Sequence, residues 1–164
     1  GEYKKAIEIH QKALTIYLET FGENSLQVVY SHTYLANVLI DVKDYDSAIT
    51  HYKKALKIAT AIKLENHHAA MAAINGLAIC YFKTSQFKLS KDFFEKAIVG
   101  LIKTNGKDHP RVAIARFNLA RAAIKLGEKN YALELAQEVR KVFLHTYGID
   151  HLYTKKIDEF IQSM

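Results

Sequence analysis

Small and aliphatic residues recur along the chain at intervals of 42 residues. One such position is occupied by Ala6, Ala48, Ser90 and Ala132, and the pair Leu-Ala recurs at Leu35-Ala36, Leu77-Ala78 and Leu119-Ala120. No insertion or deletion breaks this register over nearly four periods. The chain is therefore predicted to repeat one structural unit.

Each repeat is predicted to contain two helices, because apolar residues recur at helical spacing, as at Val28, Leu35 and Leu39. Polar pairs that can accept hydrogen bonds from a first helical turn precede each first helix. These pairs are Asn24-Ser25, Asn66-His67, Asp108-His109 and Asp150-His151. Pro110 suits the first position of a helix, where its missing N–H is no loss. Sustained strand-like alternation is absent, so the predicted class is all-α.

The second helix of each repeat is predicted from Tyr45 to about Lys63, from Phe87 to about Thr104 and from Lys129 to about Tyr147. Breaks at Lys43-Asp44, Thr84-Ser85 and Gly127-Glu128 precede these helices. The pattern gives about eight helices in a single repeat domain over residues 1–164. That domain comprises a lone second helix (1–22), three full repeats (23–64, 65–106 and 107–148) and a C-terminal capping helix (149–164). Because the sequence opens with Gly1 rather than Met, we expect it to be part of a longer protein.

The two ends differ in their predicted exposure. The closing helix has one apolar face, formed by Tyr153, Ile157, Phe160 and Ile161, and its charged residues lie mostly elsewhere, as a solenoid cap requires. The N-terminal helix has no partner helix before it. Its face of Tyr3, Ile7, Leu14 and Ile16 is therefore predicted to be exposed or to mediate self-association.

The net charge of +6 is concentrated in the third block of 42 residues. Residues 85–126 contain nine basic and three acidic side chains, whereas the first and last blocks are mildly acidic. This distribution favours an acidic partner near the middle of the chain, although scattered lysines that merely solvate outer helix faces are the simpler explanation.

Composition and motifs argue against several other classes of protein. No apolar run approaches the ~20 residues that a membrane span needs. The lone Cys80 lies in a helical pattern, fits a buried core thiol and is consistent with a reducing, cytoplasmic compartment. Nucleotide-binding and hydrolase motifs are absent, so neither an enzyme nor a cofactor is expected.

The repeats resemble tetratricopeptide repeats, and more narrowly the kinesin-light-chain type. The resemblance rests on the Leu-Ala pair of the first helix and on the Ala-Ile…Lys-Ala-Leu pattern of the second. The third period is most similar, with Gly106, Asp108, His109, Pro110, Val112, Ala113, Asn118, Leu119, Ala120 and Gly127. Leu26 and His68 replace the family's Pro, and Leu64 replaces its Gly. The resemblance implies a right-handed α-solenoid whose first helices line a concave groove that binds partner proteins.

Successive residues of a helix are ~100° apart around its axis. If the leucine of each first helix faces the paired helix, the positions five and two residues before it and two and five residues after it face the groove. The predicted peptide-binding residues are Thr33, Asn37, Asn75, Ile79, Lys83, Phe117, Arg121 and Lys125. Asn37 and Asn75 could hydrogen-bond a peptide backbone, and Arg121 could bind a carboxylate. Ile40, Phe82 and Ile124 share one repeat position and are expected instead to pack against the neighbouring first helix.

Eight histidines raise the question of a metal site. His67, His109 and His151 occupy the same repeat position, and neighbouring repeats lie ~8–10 Å apart. A shared ion needs each nitrogen within about 2.1 Å of it, so helix capping or plain exposure is the favoured role and no metal site is predicted.

The sequence thus predicts a scaffold that binds a peptide or helical segment of another protein, and the charge distribution favours an acidic segment. Two alternatives remain open. Residues 85–126 could bind nucleic acid non-specifically through their basic side chains, although helical spacing places most of the nearby phenylalanines in the core. The uncovered N-terminal helix could instead dock onto a second copy in a purely structural role.

Overall fold

A computed structural model describes residues 2–164, which form eight helices and no strands. The helices are α1 (Glu2–Phe21), α2 (Leu26–Asp41), α3 (Tyr45–Ala61), α4 (His68–Lys83), α5 (Phe87–Asn105), α6 (Pro110–Lys125), α7 (Lys129–Tyr147) and α8 (Leu152–Gln162). The predicted all-α class is confirmed, and α2, α4, α6 and α8 are the predicted first helices. None of the described helices is long and apolar enough to cross a bilayer.

The helices fall into two compact units, residues 1–84 and residues 85–164. Within the first unit, α1 packs on α2, α2 on α3, and α3 on α4, while α2 also contacts α4. Within the second unit, α5 packs on α6, α6 on α7, and α7 on α8. Consecutive helices joined by short connections form antiparallel hairpins. The prediction of a single repeat domain stays a prediction.

The predicted capping positions are the observed N-caps. Ser25, His67, His109 and His151 precede α2, α4, α6 and α8 in extended backbone conformation. Each histidine accepts a hydrogen bond through Nδ1 from the backbone N–H two residues later, at 3.1 to 3.3 Å. These bonds satisfy donors that a first turn leaves without partners. The capping role predicted for the histidine row is therefore confirmed.

The turns within helix pairs keep the same 42-residue register. Lys43, Ser85 and Gly127 all have positive φ, between 60° and 80°. Only glycine adopts this conformation without steric cost, so Lys43 and Ser85 carry a backbone penalty that Gly127 avoids. The left-handed residue lets the chain leave one helix and begin the next within a few residues.

One predicted boundary is wrong. The second helix expected to reach about Lys63 ends at Ala61, and Lys63 has a φ of 58°. The corresponding positions after α1, α5 and α7 are glycines with positive φ, at Gly22, Gly106 and Gly148. Here Leu64 replaces the glycine, so the left-handed residue comes one position earlier and α3 is shortened.

The core consists of the residues that the repeat pattern marks. Leu35, Leu77 and Leu119 are buried, and so are the alanines that follow them. Ala48, Ala55 and Ala97 are fully buried on the second helices, where small side chains allow close helix approach. Ile157 of α8 is fully buried, with Phe160 and Ile161 packed against the same cluster, which confirms the apolar face of the closing helix.

Candidate functional site

The first helix of each repeat keeps one narrow exposed stripe. On α2 this stripe consists of the half-buried Tyr30 and the exposed Tyr34, Asn37 and Asp41, spaced three or four residues apart. Tyr34 is 49% exposed. The predicted groove-facing direction of α2 is the one opposite Leu35. At ~100° per residue, the centre of the exposed stripe lies roughly 40–50° around the helix axis from that direction. The surface available to a partner on α2 is therefore rotated from the predicted one.

Thr33 is a correction that follows from this rotation. Its side chain is only 2% exposed, and its hydroxyl donates a hydrogen bond to the Val29 carbonyl at 2.8 Å. The hydroxyl thus bonds to its own helix one turn earlier. Thr33 is not available to a peptide.

Asn37 is exposed, as predicted, and a buried neighbour holds its side chain. The Tyr52 hydroxyl on α3 donates a hydrogen bond to Asn37 Oδ1 at 2.5 Å. Tyr52 is fully buried, and its burial raises the pKa of the phenol, so the hydroxyl remains a donor at neutral pH. With Oδ1 bonded to Tyr52, the Asn37 amide offers its N–H groups to an acceptor such as a peptide carbonyl.

An aromatic and histidine cluster adjoins Asn37 on the first unit, and the sequence reasoning missed most of it. The Tyr30 hydroxyl and His68 Nε2 are 2.6 Å apart, Tyr30 stacks with Tyr34 at a centroid distance of 5.9 Å, and His10 lies 6.1 Å from Tyr34. Tyr34 is not among the predicted groove-facing residues. The exposed stripe would have identified it, because Tyr34 lies one turn from both Tyr30 and Asn37.

The predicted residues on α4 differ in exposure. Asn75 and Ile79 are half-buried, whereas Lys83 at the end of the helix is exposed. Gly76 lies between them, in close contact with the Tyr52 ring. The structure therefore brings Asn37 and the Tyr52–Gly76 contact together within the first unit.

The second unit presents a basic stripe with apolar neighbours on α6. Arg121 and Lys125 are exposed one turn apart, and Ile114 is 37% exposed two turns before Arg121. Arg121 donates a hydrogen bond through Nη1 to Asn118 Oδ1 at 3.3 Å, which orients the guanidinium along α6. Phe117 is half-buried and packs edge-to-face on Phe160 of α8, with centroids 5.3 Å apart. Part of the Phe117 side chain therefore packs against the core of this unit.

The three residues expected to pack between first helices, Ile40, Phe82 and Ile124, are half-buried. Their packing role stays a prediction. Cys80 is fully buried, and burial raises the pKa of its thiol to about 12, which confirms the predicted core cysteine. Within residues 2–164 no three His, Cys, Asp or Glu side chains come together as metal ligands would.

Comparison with known proteins identifies the repeats. A sequence model described as tetratricopeptide repeat matches residues 1–61, 29–98 and 68–145, which together span most of the chain. The chain belongs to the tetratricopeptide repeat family. Members of this family generally mediate contacts between proteins, and their fold is a solenoid of helix pairs, so the predicted fold class is confirmed.

Several curated relatives are similar over much of this chain. Response regulator aspartate phosphatase E of Bacillus subtilis is 28% identical over 110 residues, which are 67% of this chain and 28% of the relative. The human clustered mitochondria protein homolog is 21% identical over the whole chain, which covers 12% of the relative. Kinesin light chain-related protein 3 of Arabidopsis thaliana is 24% identical over 90% of this chain and 23% of the relative. The chain thus spans less than a third of each of these proteins.

Solved structures share the fold at low identity. A kinesin-light-chain-type protein of Podosopora anserina with nearly identical TPR-like repeats has a TM-score of 0.83 at 20% identity, covering 99% of this chain and 77% of that one. A Rap protein complexed with competence and sporulation factor has a TM-score of 0.72 at 20% identity, covering 98% of this chain and 48% of that one. The predicted similarity to the kinesin-light-chain type is therefore confirmed at the level of the fold.

Proposed function

We propose that this repeat protein is a binding module rather than an enzyme, and that the exposed stripe of α6 binds an acidic peptide segment with apolar side chains. The observation that carries this proposal is the exposure of Arg121 and Lys125 one turn apart on α6, with Ile114 on the same stripe. One helix face thus carries an apolar side chain near its start and two basic side chains further along. This arrangement suits a segment in which carboxylates flank an apolar anchor.

Charge supports the same assignment. Residues 85–126 contain nine of the 23 basic residues and only three of the 17 acidic ones. Some of these charges are already paired within the unit, since Lys91 contacts Glu128 at 2.5 Å and Arg116 contacts Glu138 at 3.4 Å. Arg121 and Lys125 are well placed for a partner, because both side chains are exposed on the stripe.

The first unit supports peptide binding in a different way. Asn37 offers amide donors to a peptide backbone, and Tyr34 supplies an exposed aromatic face beside it. Tyrosine gives a large contact area at low entropic cost, because it has few rotatable bonds. We propose that Asn37, Asn75, Ile79 and Lys83 contribute to peptide binding on this unit, together with Tyr34.

Fluorescence anisotropy with a labelled synthetic peptide of alternating Glu and Leu residues tests the α6 proposal. The double variant Arg121→Glu, Lys125→Glu should lower the affinity at least about tenfold, because each change turns an attraction into a repulsion. Lys88→Glu and Lys103→Glu together provide a matched control with the same change in net charge. Both lysines are exposed, and both lie on α5 rather than on the α6 stripe.

The outcomes separate this proposal from its alternatives. Equal loss in the two double variants would show that net charge alone drives binding and would contradict a site at Arg121 and Lys125. Retention of single-stranded DNA on filters at low salt, lost equally in both variants, would favour nucleic-acid binding instead. Sedimentation that depends on protein concentration would favour self-association through α1, where Tyr3 and Ile16 are more than half exposed.

A further inference from the structure

A cavity of about 670 Å³ lies within the first unit, among α1, α2, α3 and the α1–α2 connection. Its apolar lining includes Leu14 and Leu18 of α1, Val28 of α2 and Ile58 of α3. Its volume falls within the range of about 300–1,000 Å³ that is typical of small-molecule sites. Most of its surface is apolar, so it favours a ligand with a hydrocarbon part.

Two histidines provide a polar region of the cavity. His32 Nδ1 and His51 Nδ1 lie 2.9 Å apart, so one ring nitrogen donates a hydrogen bond to the other. Burial, with smaller contributions from His51 and Lys54, lowers the pKa of His32 to about 4, and burial and Lys54 likewise lower the pKa of His51. Both rings are therefore neutral at physiological pH.

The charged groups of the cavity favour an anion. Lys54 and Lys57 stand one turn apart on α3, whereas Glu23 is the single carboxylate among the lining residues. Within the described part of the chain neither lysine takes part in an ion pair. A metal ion would meet two histidine nitrogens already bonded to each other, two nearby ammonium groups, and no third ligand in a cluster with them.

We propose that this cavity binds a free amphipathic anion, a carboxylate or phosphate that carries an alkyl chain. The head group lies at Lys54 and Lys57, and the chain lies against Leu14, Leu18 and Ile58. Charge-assisted hydrogen bonds from the lysines fix the head group. Burial of the methylenes supplies the remaining affinity. This site is separate from the peptide surface on α6, which belongs to the other unit.

Isothermal titration calorimetry with four matched probes tests the proposal. Octyl phosphate and octanoate carry the same chain on different head groups, 1-octanol is the neutral counterpart, and inorganic phosphate is a head group alone. We expect saturable binding of octyl phosphate, octanoate or both, with 1-octanol and inorganic phosphate bound at least about tenfold more weakly. The stronger of the two anions identifies the head group.

Variants locate the binding within the cavity. The double variant Lys54→Gln, Lys57→Gln should weaken anion binding at least about tenfold and leave 1-octanol unaffected. Lys53→Gln, Lys63→Gln is the matched control, because both lysines are exposed and neither lines the cavity. Leu18→Glu places a carboxylate in the apolar wall and should abolish anion binding, with far-UV circular dichroism confirming that the helices remain.

Several results would overturn the proposal. One is the absence of saturable binding by either anion, and another is 1-octanol binding as tightly as octyl phosphate. Equal losses in the two double-lysine variants would also overturn it. So would binding to vesicles that contain phosphatidic acid without binding to either free amphiphile, because the site would then be a membrane surface rather than a cavity.

Discussion

The Tyr52 ring lies so close to Gly76 that a Cβ added to the glycine would stand 2.1 Å from the tyrosine Cζ. Tyr52 comes from α3 and Gly76 from α4, and the tyrosine hydroxyl also bonds to Asn37 of α2. One buried side chain therefore connects three helices of the first unit. Glycine in mid-helix has a cost in propensity, and here the close approach of Tyr52 requires it.

Gly76→Ala should destabilise the first unit. Overpacking costs about 1–3 kcal/mol, and the better helix propensity of alanine returns at most about 1 kcal/mol. Gly76→Ala should cost less in a Tyr52→Leu background than in the wild type, because the shorter side chain leaves room for the methyl group. Urea denaturation followed by circular dichroism measures each variant. A Gly76→Ala protein as stable as the wild type would contradict the contact.

Acid should weaken the protein through the His32–His51 pair. The folded pKa of His32 is about 4, below the ordinary value of 6.5, so the unfolded chain takes up a proton that the folded chain resists. The stability from this group is fully present above pH 6.5 and is lost as the pH falls from 6.5 towards about 4. At 1.36 kcal/mol per pKa unit, the loss reaches up to about 3 kcal/mol.

The urea midpoint between about pH 7 and about pH 5 measures this effect. Lys54 of α3 lowers the pKa of both histidines, and Asp44 at the N-cap of α3 acts in the opposite direction on the pKa of His51. Lys57 and Glu23 line the same cavity. His32→Gln should reduce the acid-induced loss, whereas the exposed His145→Gln should leave it unchanged. An identical pH dependence in all three proteins would rule out the pair as its source.

In the turns within helix pairs, replacing glycine by alanine should lower the stability, whereas replacing lysine by glycine should not. Gly127→Ala should cost about 1 kcal/mol, because an L-residue is strained at a φ of 80° although no atom lies within 4 Å of the new Cβ. Lys43→Gly, at the same repeat position, should be neutral or stabilising by up to about 1 kcal/mol. Denaturation midpoints of the two variants on either side of the wild-type value would agree with the left-handed geometry. A shift of both midpoints in the same direction would contradict that geometry.

Removal of the central side chain of α8 should destabilise the second unit. Ile157 is fully buried in the cluster that contains Ala136, Val139 and Phe143, so Ile157→Ala should cost about 2–4 kcal/mol. The neighbouring Lys156→Ala, at an exposed position, should stay within about 0.5 kcal/mol of the wild type. Equal stability of the two variants would mean that α8 does not contribute to the core.

Helix order and caps were predictable from the sequence because they depend on local patterns. The Asp-His-Pro string before α6 places a hydrogen-bond acceptor and a residue without an N–H at the two positions that a helix start accepts. His109 and Pro110 occupy these positions. The end of α3 was less predictable, because no local rule selects Lys63 over Leu64 for the left-handed conformation.

The rotation of each helix about its own axis was not predictable to better than about one residue step, which is ~100°. Thr33 and Tyr34 are neighbours in sequence, yet Thr33 is buried and Tyr34 is half exposed. A rotation of the exposed stripe by roughly half a residue step decides between them. The cavity and the His32–His51 pair depend on the spacing of three helices, which the pattern of a single helix does not encode.

No described residue of α1 is buried, although this helix has twenty residues. Its amide protons should therefore exchange with solvent sooner than those of α2, whose inner side chains are fully enclosed. Leu14 and Leu18 of α1 line the cavity together with residues of α2 and α3. A ligand bound there would contact all three helices, and its binding should stabilise α1 and slow the exchange of the α1 amide protons.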